Sequence, residues 1–352
     1  MLRSERTIVV SIRRSLVNAM RQAGDNARWI AFVLLIPAAR LPRPWAVAAA
    51  DFVGSLFAAA SVGARVRREM ACAFPFGDAS AITLEWIRRP FRDFVAARRI
   101  AKGLDDPALL SFKSIGEPPC VREPGQSLII AAGHFSREAM TGLYAADNIP
   151  KRLATVVAGV EDKPSDARGR RLRLQLGELV RGIERARKGD VEIVRVVAGV
   201  SIFGRLVNFL RQPGSVVVLA PDAVWPSSKL GGFERAFAGF ASHGFAFGAA
   251  RLARLAQCPI VTCAPYMDEQ GGVVIEWGEL IAAPDRKDAD ADMRISNQML
   301  DEIEHAIGAR PGQYVQSIGH DRRWDPVSRK WRTAAARPVS PLPRREQEVV
   351  SS

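Results

Sequence analysis

Two apolar runs open the chain. Trp29–Ala39 is almost wholly apolar and stops at Arg40-Leu-Pro42, too short to cross a bilayer. Pro44–Ala64 (PWAVAAADFVGSLFAAASVGA) approaches the ~20 residues that a spanning helix needs, but it is Ala-rich and interrupted by Asp51 and Gly54. Further on, Trp86, Ile87, Phe91, Phe94 and Val95 recur at spacings of three and four, which predicts a helix over Ile82–Ala101.

From residue 111 the pattern changes to short apolar runs alternating with amphipathic stretches. Strands are expected at Ser111–Gly116, Ser127–Ala132, Leu153–Ala158, Val191–Val196, Ser215–Ala220, Pro259–Ala264 and Gly272–Trp277. Helices are expected at Ser136–Tyr144, Arg168–Lys188, Ile202–Arg211, Gly244–Ala256 and Asp288–Ala309, with a loop from Asp222 to about Gly239. Such alternation implies an α/β fold: a mixed, mostly parallel sheet covered by helices. The sequence divides into a helical region over 1–105, an α/β domain over 106–325 and a polar, Pro-containing tail over 326–352 that is expected to be disordered.

Charge gives the N-terminal region a second meaning. Arg40 precedes the second apolar run and Arg65, Arg67 and Arg68 follow it, so basic flanks on both sides leave orientation unspecified. The expectation is a helical pair lying in a membrane interface, or one N-terminal anchor, with arginines reaching lipid phosphates. Ordinary core helices are the competing reading. The first 28 residues carry arginines but no early apolar core or small-residue cleavage site, which reads against a secretory signal.

The 352-residue chain has a net charge of +13, which suits acidic partners or anionic surfaces. No nucleic-acid readout motif accompanies it, so a nucleic-acid partner is not expected. Cys72, Cys120, Cys258 and Cys263 form no C-x-x-C pair, and the histidines lack zinc spacing; neither a metal nor a cofactor is expected.

The candidate chemistry lies at His134-Phe-Ser-Arg-Glu138, directly after the strand Ser127–Ala132. A strand-to-helix turn there would set an imidazole beside the Glu138 carboxylate and near backbone N–H groups, the means to activate a hydroxyl and hold an oxyanion. Asp222 follows the strongest strand in the sequence, at the carboxyl end where α/β sheets place functional side chains.

Three ordered segments resemble the bacterial lipid A biosynthesis (lauroyl/myristoyl) acyltransferases of the lysophospholipid acyltransferase superfamily. They are Ile129-Ile-Ala-Ala-Gly-His134-Phe-Ser-Arg-Glu138, Leu210-Arg-Gln-Pro-Gly214-Ser-Val-Val-Val-Leu-Ala-Pro221-Asp222 with its continuation to Pro259-Ile-Val, and Arg310-Pro-Gly-Gln313-Tyr-Val-Gln-Ser-Ile-Gly-His320-Asp-Arg322-Arg323-Trp324. Arg67-Arg68-Glu-Met-Ala-Cys-Ala-Phe74-Pro75 adds a fourth, upstream likeness.

The resemblance implies a glycerolphosphate-acyltransferase-like fold at the cytoplasmic face of an inner membrane. It implies transfer of an acyl chain from an acyl carrier protein thioester to a hydroxyl of a lipid A precursor or related anionic lipid, without metal or covalent intermediate. It gives His134 the role of base and Glu138 that of its orienter, and it assigns Arg185 or Arg187, with Asp222, to substrate binding. The family places its carboxylate five residues after the histidine; here that position is Ala139, and Glu138 stands four after. A catalytically impaired relative that binds lipid or carrier protein, and a lysophospholipid acyltransferase, are the alternatives.

Overall fold

The computed structural model describes residues 22–75, 77–105, 112–115, 125–135, 141, 152–158, 166–186, 190–196, 202–222, 232–268, 273–288, 290–314, 322–325, 328 and 330–333. Helix α1 covers residues 22–38, followed by α2 (Arg43–Ala59), α3 (Ser61–Ala73) and α4 (Ala79–Ala101). Asp78 caps α4 by accepting from the N–H groups of Ser80 and Ala81 at 2.8 and 3.1 Å, which satisfies two donors that the first turn leaves open. Gly103, at φ +69°, ends the same helix in the left-handed conformation that glycine adopts without a Cβ penalty.

The strands are β1 (Phe112–Ile115), β2 (Leu128–Ala132), β3 (Arg152–Ala158), β4 (Asp190–Val196), β5 (Ser215–Leu219), β6 (Gly232–Phe237), β7 (Phe240–Ala246), β8 (Ile260–Met267) and β9 (Val273–Ile281). Helix α5 (Ala167–Ala186) joins β3 to β4, α6 (Phe203–Leu210) precedes β5, α7 (Gly248–Ala256) precedes β8, and α8 (Ala291–Ala309) follows β9. Seven strands form one sheet in the order β1-β9-β8-β2-β5-β3-β4. The five from β8 to β4 are mutually parallel; β9 runs antiparallel to β8, and β1 pairs parallel with β9. This is the mixed, mostly parallel α/β sheet that the alternation predicts.

Strand β2 is buried along its whole length, as its unbroken apolar run requires of a central parallel strand. On one face Ile129, Ala131 and Val217 pack with Leu206 and Leu210 of α6, Ala250 and Ala253 of α7, and Ile295 and Met299 of α8. On the other, Leu128, Ile130, Ala132, Val216 and Val218 join Val261, Ile275 and Trp277. Fully burying each Val, Leu or Ile contributes about 1.5–3 kcal/mol. A separate cluster binds α1, α2 and α4 together through Phe32, Leu35, Ala46, Ala50, Phe91 and Phe94.

Three expectations change. The segment read as loop up to Gly239 contains β6, which pairs antiparallel with β7. Gly244–Ala246, expected in a helix, belongs to β7, and α7 starts at Gly248. Within the stretch expected to be tail, Lys330–Thr333 pairs antiparallel with Arg322–Asp325 as strands β11 and β10. The helix expected at Ser136–Tyr144 lies outside the described residues except for Thr141, which is helical.

Among the described residues no single helix is long and apolar enough to cross a membrane; α2 and Gly63–Ala73 pass that test only together, bent by 84°. The outer face of α1, α2 and the turn between them is nonetheless apolar: Trp45 is 70% exposed, Phe52 65% and Leu34 63%, with Ile30, Leu41 and Leu56 beside them. Arg40, in that turn, and Arg43, the first residue of α2, are also exposed.

Candidate active site

Register builds the site. Strands β2 and β5 are parallel neighbours matched from Leu128↔Val216 to Ala131↔Leu219. Three residues further along each chain stand His134 and Asp222, so the same offset brings them level at the carboxyl edge of the sheet, where backbones stop pairing with one another. The His134 ring Nδ1 lies 2.7 Å from Asp222 Oδ1. The backbone N–H of His134 donates to Asp222 Oδ2 at 2.9 Å, and so does the Tyr314 hydroxyl, also at 2.9 Å.

Burial and polar contacts pull on Asp222 in opposite directions. The residue is 1% exposed, and removal from water, the largest single influence, favours its neutral form. The charge of His134, its ring and backbone hydrogen bonds and the Tyr314 hydroxyl together outweigh that, and hold the carboxyl below its ordinary value. Asp222 is therefore an ionised carboxylate whose two oxygens accept three donors. The His134 side chain is 19% exposed, so the ring reaches the surface while its partner does not.

The turn carrying His134 is tight. Phe135 N–H donates to the Gly133 carbonyl at 2.6 Å, and Gly133 N–H donates to the Cys263 carbonyl on β8 at 3.0 Å. A Cβ on Gly133 would come within 3.0–3.2 Å of Phe135 and Ile303, so glycine lets the chain turn against α8. One expectation falls here: the N–H groups of Gly133, His134 and Phe135 are all committed within the protein, so these three are not placed as oxyanion donors.

Tyr314 arrives from the far end of the chain. The turn Pro311–Gln313 follows α8, and the Gln313 amide both accepts from the Met267 N–H and donates to the Met267 carbonyl, each at 2.8 Å, which pins it to the end of β8. Tyr314 then bridges the Phe135 backbone, and its ring meets those of Phe135 and Phe237 edge-on at 5.6 and 6.5 Å between centroids. Phe237 ends β6, and the hairpin tip turns through Ala238 and Gly239, both at positive φ. The Ala238 N–H donates to the buried Glu304 of α8 at 2.8 Å, which fixes the tip.

The expected site residues are thus divided. His134 and Asp222 come together, but Asp222 acts as the partner of the ring rather than as a separate substrate contact. Glu138 and Arg187 lie outside the described residues; the Nδ1 position given to Glu138 is held by Asp222. Arg185 lies on the last turn of α5, just before β4 begins, hence at the amino edge of the parallel strands. Its guanidinium sits where a Cβ on Gly103, past the end of α4, would be, whereas Glu85 of α4 lies against Gly312 next to Tyr314. Sixteen residues of α4, from Glu85 to Ala101, separate those two ends, a rise of roughly 24 Å. Arg185 is therefore remote from His134. The sequence assigns no role to Tyr314; its signal there is its place in the Arg310–Trp324 segment that resembles the acyltransferases, after the amphipathic helix α8.

No group of His, Cys, Asp and Glu able to hold a metal ion occurs among the described residues. Compared with known proteins, the chain matches no family model and no curated protein.

Proposed function

We propose that this protein is an O-acyltransferase working at a membrane surface, which moves a fatty acyl chain from an acyl carrier protein thioester to a hydroxyl of a lipid A precursor or related lipid. The observation that carries the reading is the 2.7 Å contact of His134 Nδ1 with the buried, ionised Asp222. With Nδ1–H donated to Asp222, proton exchange with substrate falls to Nε2. Nε2 takes the proton of the acceptor hydroxyl as its oxygen attacks the thioester carbonyl. The tetrahedral intermediate then collapses, the C–S bond breaks, and the imidazolium returns the proton to the departing thiolate. Asp222 stays ionised throughout and stabilises the imidazolium.

The ordered sequence segments supply the substrate class, and two surfaces are consistent with it. The apolar face of α1 and α2, with Arg40 and Arg43, suits an interfacial helix pair in anionic lipid. Exposed arginines on the first turns of α5, namely Arg168 and Arg173, suit an acidic carrier protein. A displaced Glu138 does not by itself imply an impaired, binding-only relative, because Asp222 offers His134 a carboxylate partner.

The test is transfer of labelled acyl chains from carrier protein to membrane lipids, with lipid A precursors and lysophospholipids supplied separately. Loss of transfer in a folded His134→Ala variant is expected; full transfer by that variant overturns the proposal.

A further inference from the structure

We infer that Tyr314 is a positioning residue for the His134–Asp222 pair: its hydroxyl fixes the Asp222 carboxylate and sets how much negative charge that carboxylate presents to the imidazole. The inference rests on the reading above for its catalytic consequence, but its physical content stands apart from it.

A buried carboxylate with one ring contact could rotate or exchange oxygens. Here Oδ1 meets the ring, while Oδ2 receives two donors from different parts of the chain, the His134 N–H and the Tyr314 hydroxyl. The first moves with the histidine itself. The second comes from a separate segment, since Tyr314 is seated by the Pro311–Gln313 turn pinned to Met267 and by the ring of Phe237, besides its bridge to Phe135. Tyr314 is 1% exposed, so its hydroxyl competes with no bulk water for the carboxylate.

The electrostatic consequence follows from the direction of that O–H dipole. Its positive end points at Oδ2 and draws charge away from Oδ1, which weakens the hold of the carboxylate on a protonated ring. Among the described residues, His134 and Tyr314 supply the influences that oppose desolvation at Asp222. Removing the hydroxyl alone should therefore let Asp222 favour the imidazolium more strongly, and His134 should titrate at higher pH.

The test compares Tyr314→Phe, which removes one oxygen and keeps the ring, with Phe237→Leu, which loosens the packing on Tyr314 but keeps its hydroxyl. His134 is titrated by NMR in the full-length protein, assigned with a His134→Gln variant, and transfer is followed against pH. In Tyr314→Phe the ring titration and the acid limb of the rate profile are expected to move up together by roughly half a unit or more. Phe237→Leu is expected to lower stability while leaving both in place. An unchanged ring titration in a folded Tyr314→Phe protein, or an equal movement in Phe237→Leu, overturns the inference. If the wild-type protein transfers no acyl group, the proposed function fails, while the ring titration still decides the role of Tyr314.

Discussion

Asp222→Asn tests the architecture of the site most directly. The carboxylate accepts three donors on two oxygens. An amide has one acceptor oxygen and an NH2 group, so it cannot satisfy all three. If the NH2 faces the ring, Nδ1 becomes an acceptor, Nε2 carries the hydrogen, and the base is lost. If the oxygen faces the ring, the NH2 meets the His134 N–H and the Tyr314 hydroxyl, and the buried backbone donor is left unmatched. Breaking a buried charge-assisted pair costs about 3–5 kcal/mol. The corresponding change in serine-protease triads lowers turnover about 10⁴-fold, and a loss of at least 10³-fold is expected here.

The pH dependence has a definite sign. Asp222 is held below its ordinary value of 3.8 in the folded state. The unfolded chain therefore binds the proton first, and the contribution of Asp222 is fully present above about pH 4. It is lost as pH falls from there through the folded value. Urea denaturation at pH 7 should show wild type more stable than Asp222→Asn, with the gap closing only below pH 4. A variant that melts like wild type at pH 7 and keeps turnover within tenfold would refute the assignment of Asp222 as the partner of His134.

Other consequences concern packing, surface and thiols. Gly54 of α2 faces α4 so closely that a Cβ would lie 2.6 Å from the Arg88 Cα; Gly54→Ala should cost about 1–3 kcal/mol by calorimetry, because backbone rather than a flexible side chain must move. Replacing Trp45 and Phe52 together by Ser should abolish co-sedimentation with anionic vesicles without lowering the melting temperature, since both side chains are exposed; undiminished binding would remove α2 from the proposed membrane contact. Burial pushes the Cys258 thiol up to about 12, whereas Cys72 is exposed. Iodoacetamide at pH 8 should therefore label Cys72 in the native protein and leave Cys258 unmodified until it is unfolded, as read by peptide mass spectrometry.

Local pattern made some features legible and not others. The run Leu128–Ala132 declares a buried strand because every side chain on both faces is apolar, and Val216–Leu219 does the same. The β6–β7 hairpin escaped because its turn is Ala238-Gly239, not one of the asparagine- or aspartate-glycine pairs that announce two positive-φ residues. Instead, contacts from the rest of the fold hold the turn, with Glu304 accepting the Ala238 N–H. The second half of β9 is not legible in the sequence because Gly278, Glu279 and Leu280 are exposed beside a bulge and carry no apolar alternation.

The sequence by itself determined that each of the seven strands of the large sheet exists, and it placed His134 and Asp222 each just beyond a strand end. It could not determine which carboxylate serves which imidazole, and nearness along the chain pointed to Glu138. Strand order decided the matter. With β2 and β5 as parallel neighbours in fixed register, residues 88 apart stand level at one edge of the sheet. The return of the chain through α5, from the end of β3 to the start of β4, carries Arg185 to the opposite edge. Hydrophobic patterning specifies which residues are buried, but it says little about which strands adjoin, because any pairing of such faces excludes water nearly as well. Adjacency is settled only when the whole sheet, its crossovers and the Tyr314 segment pack at once.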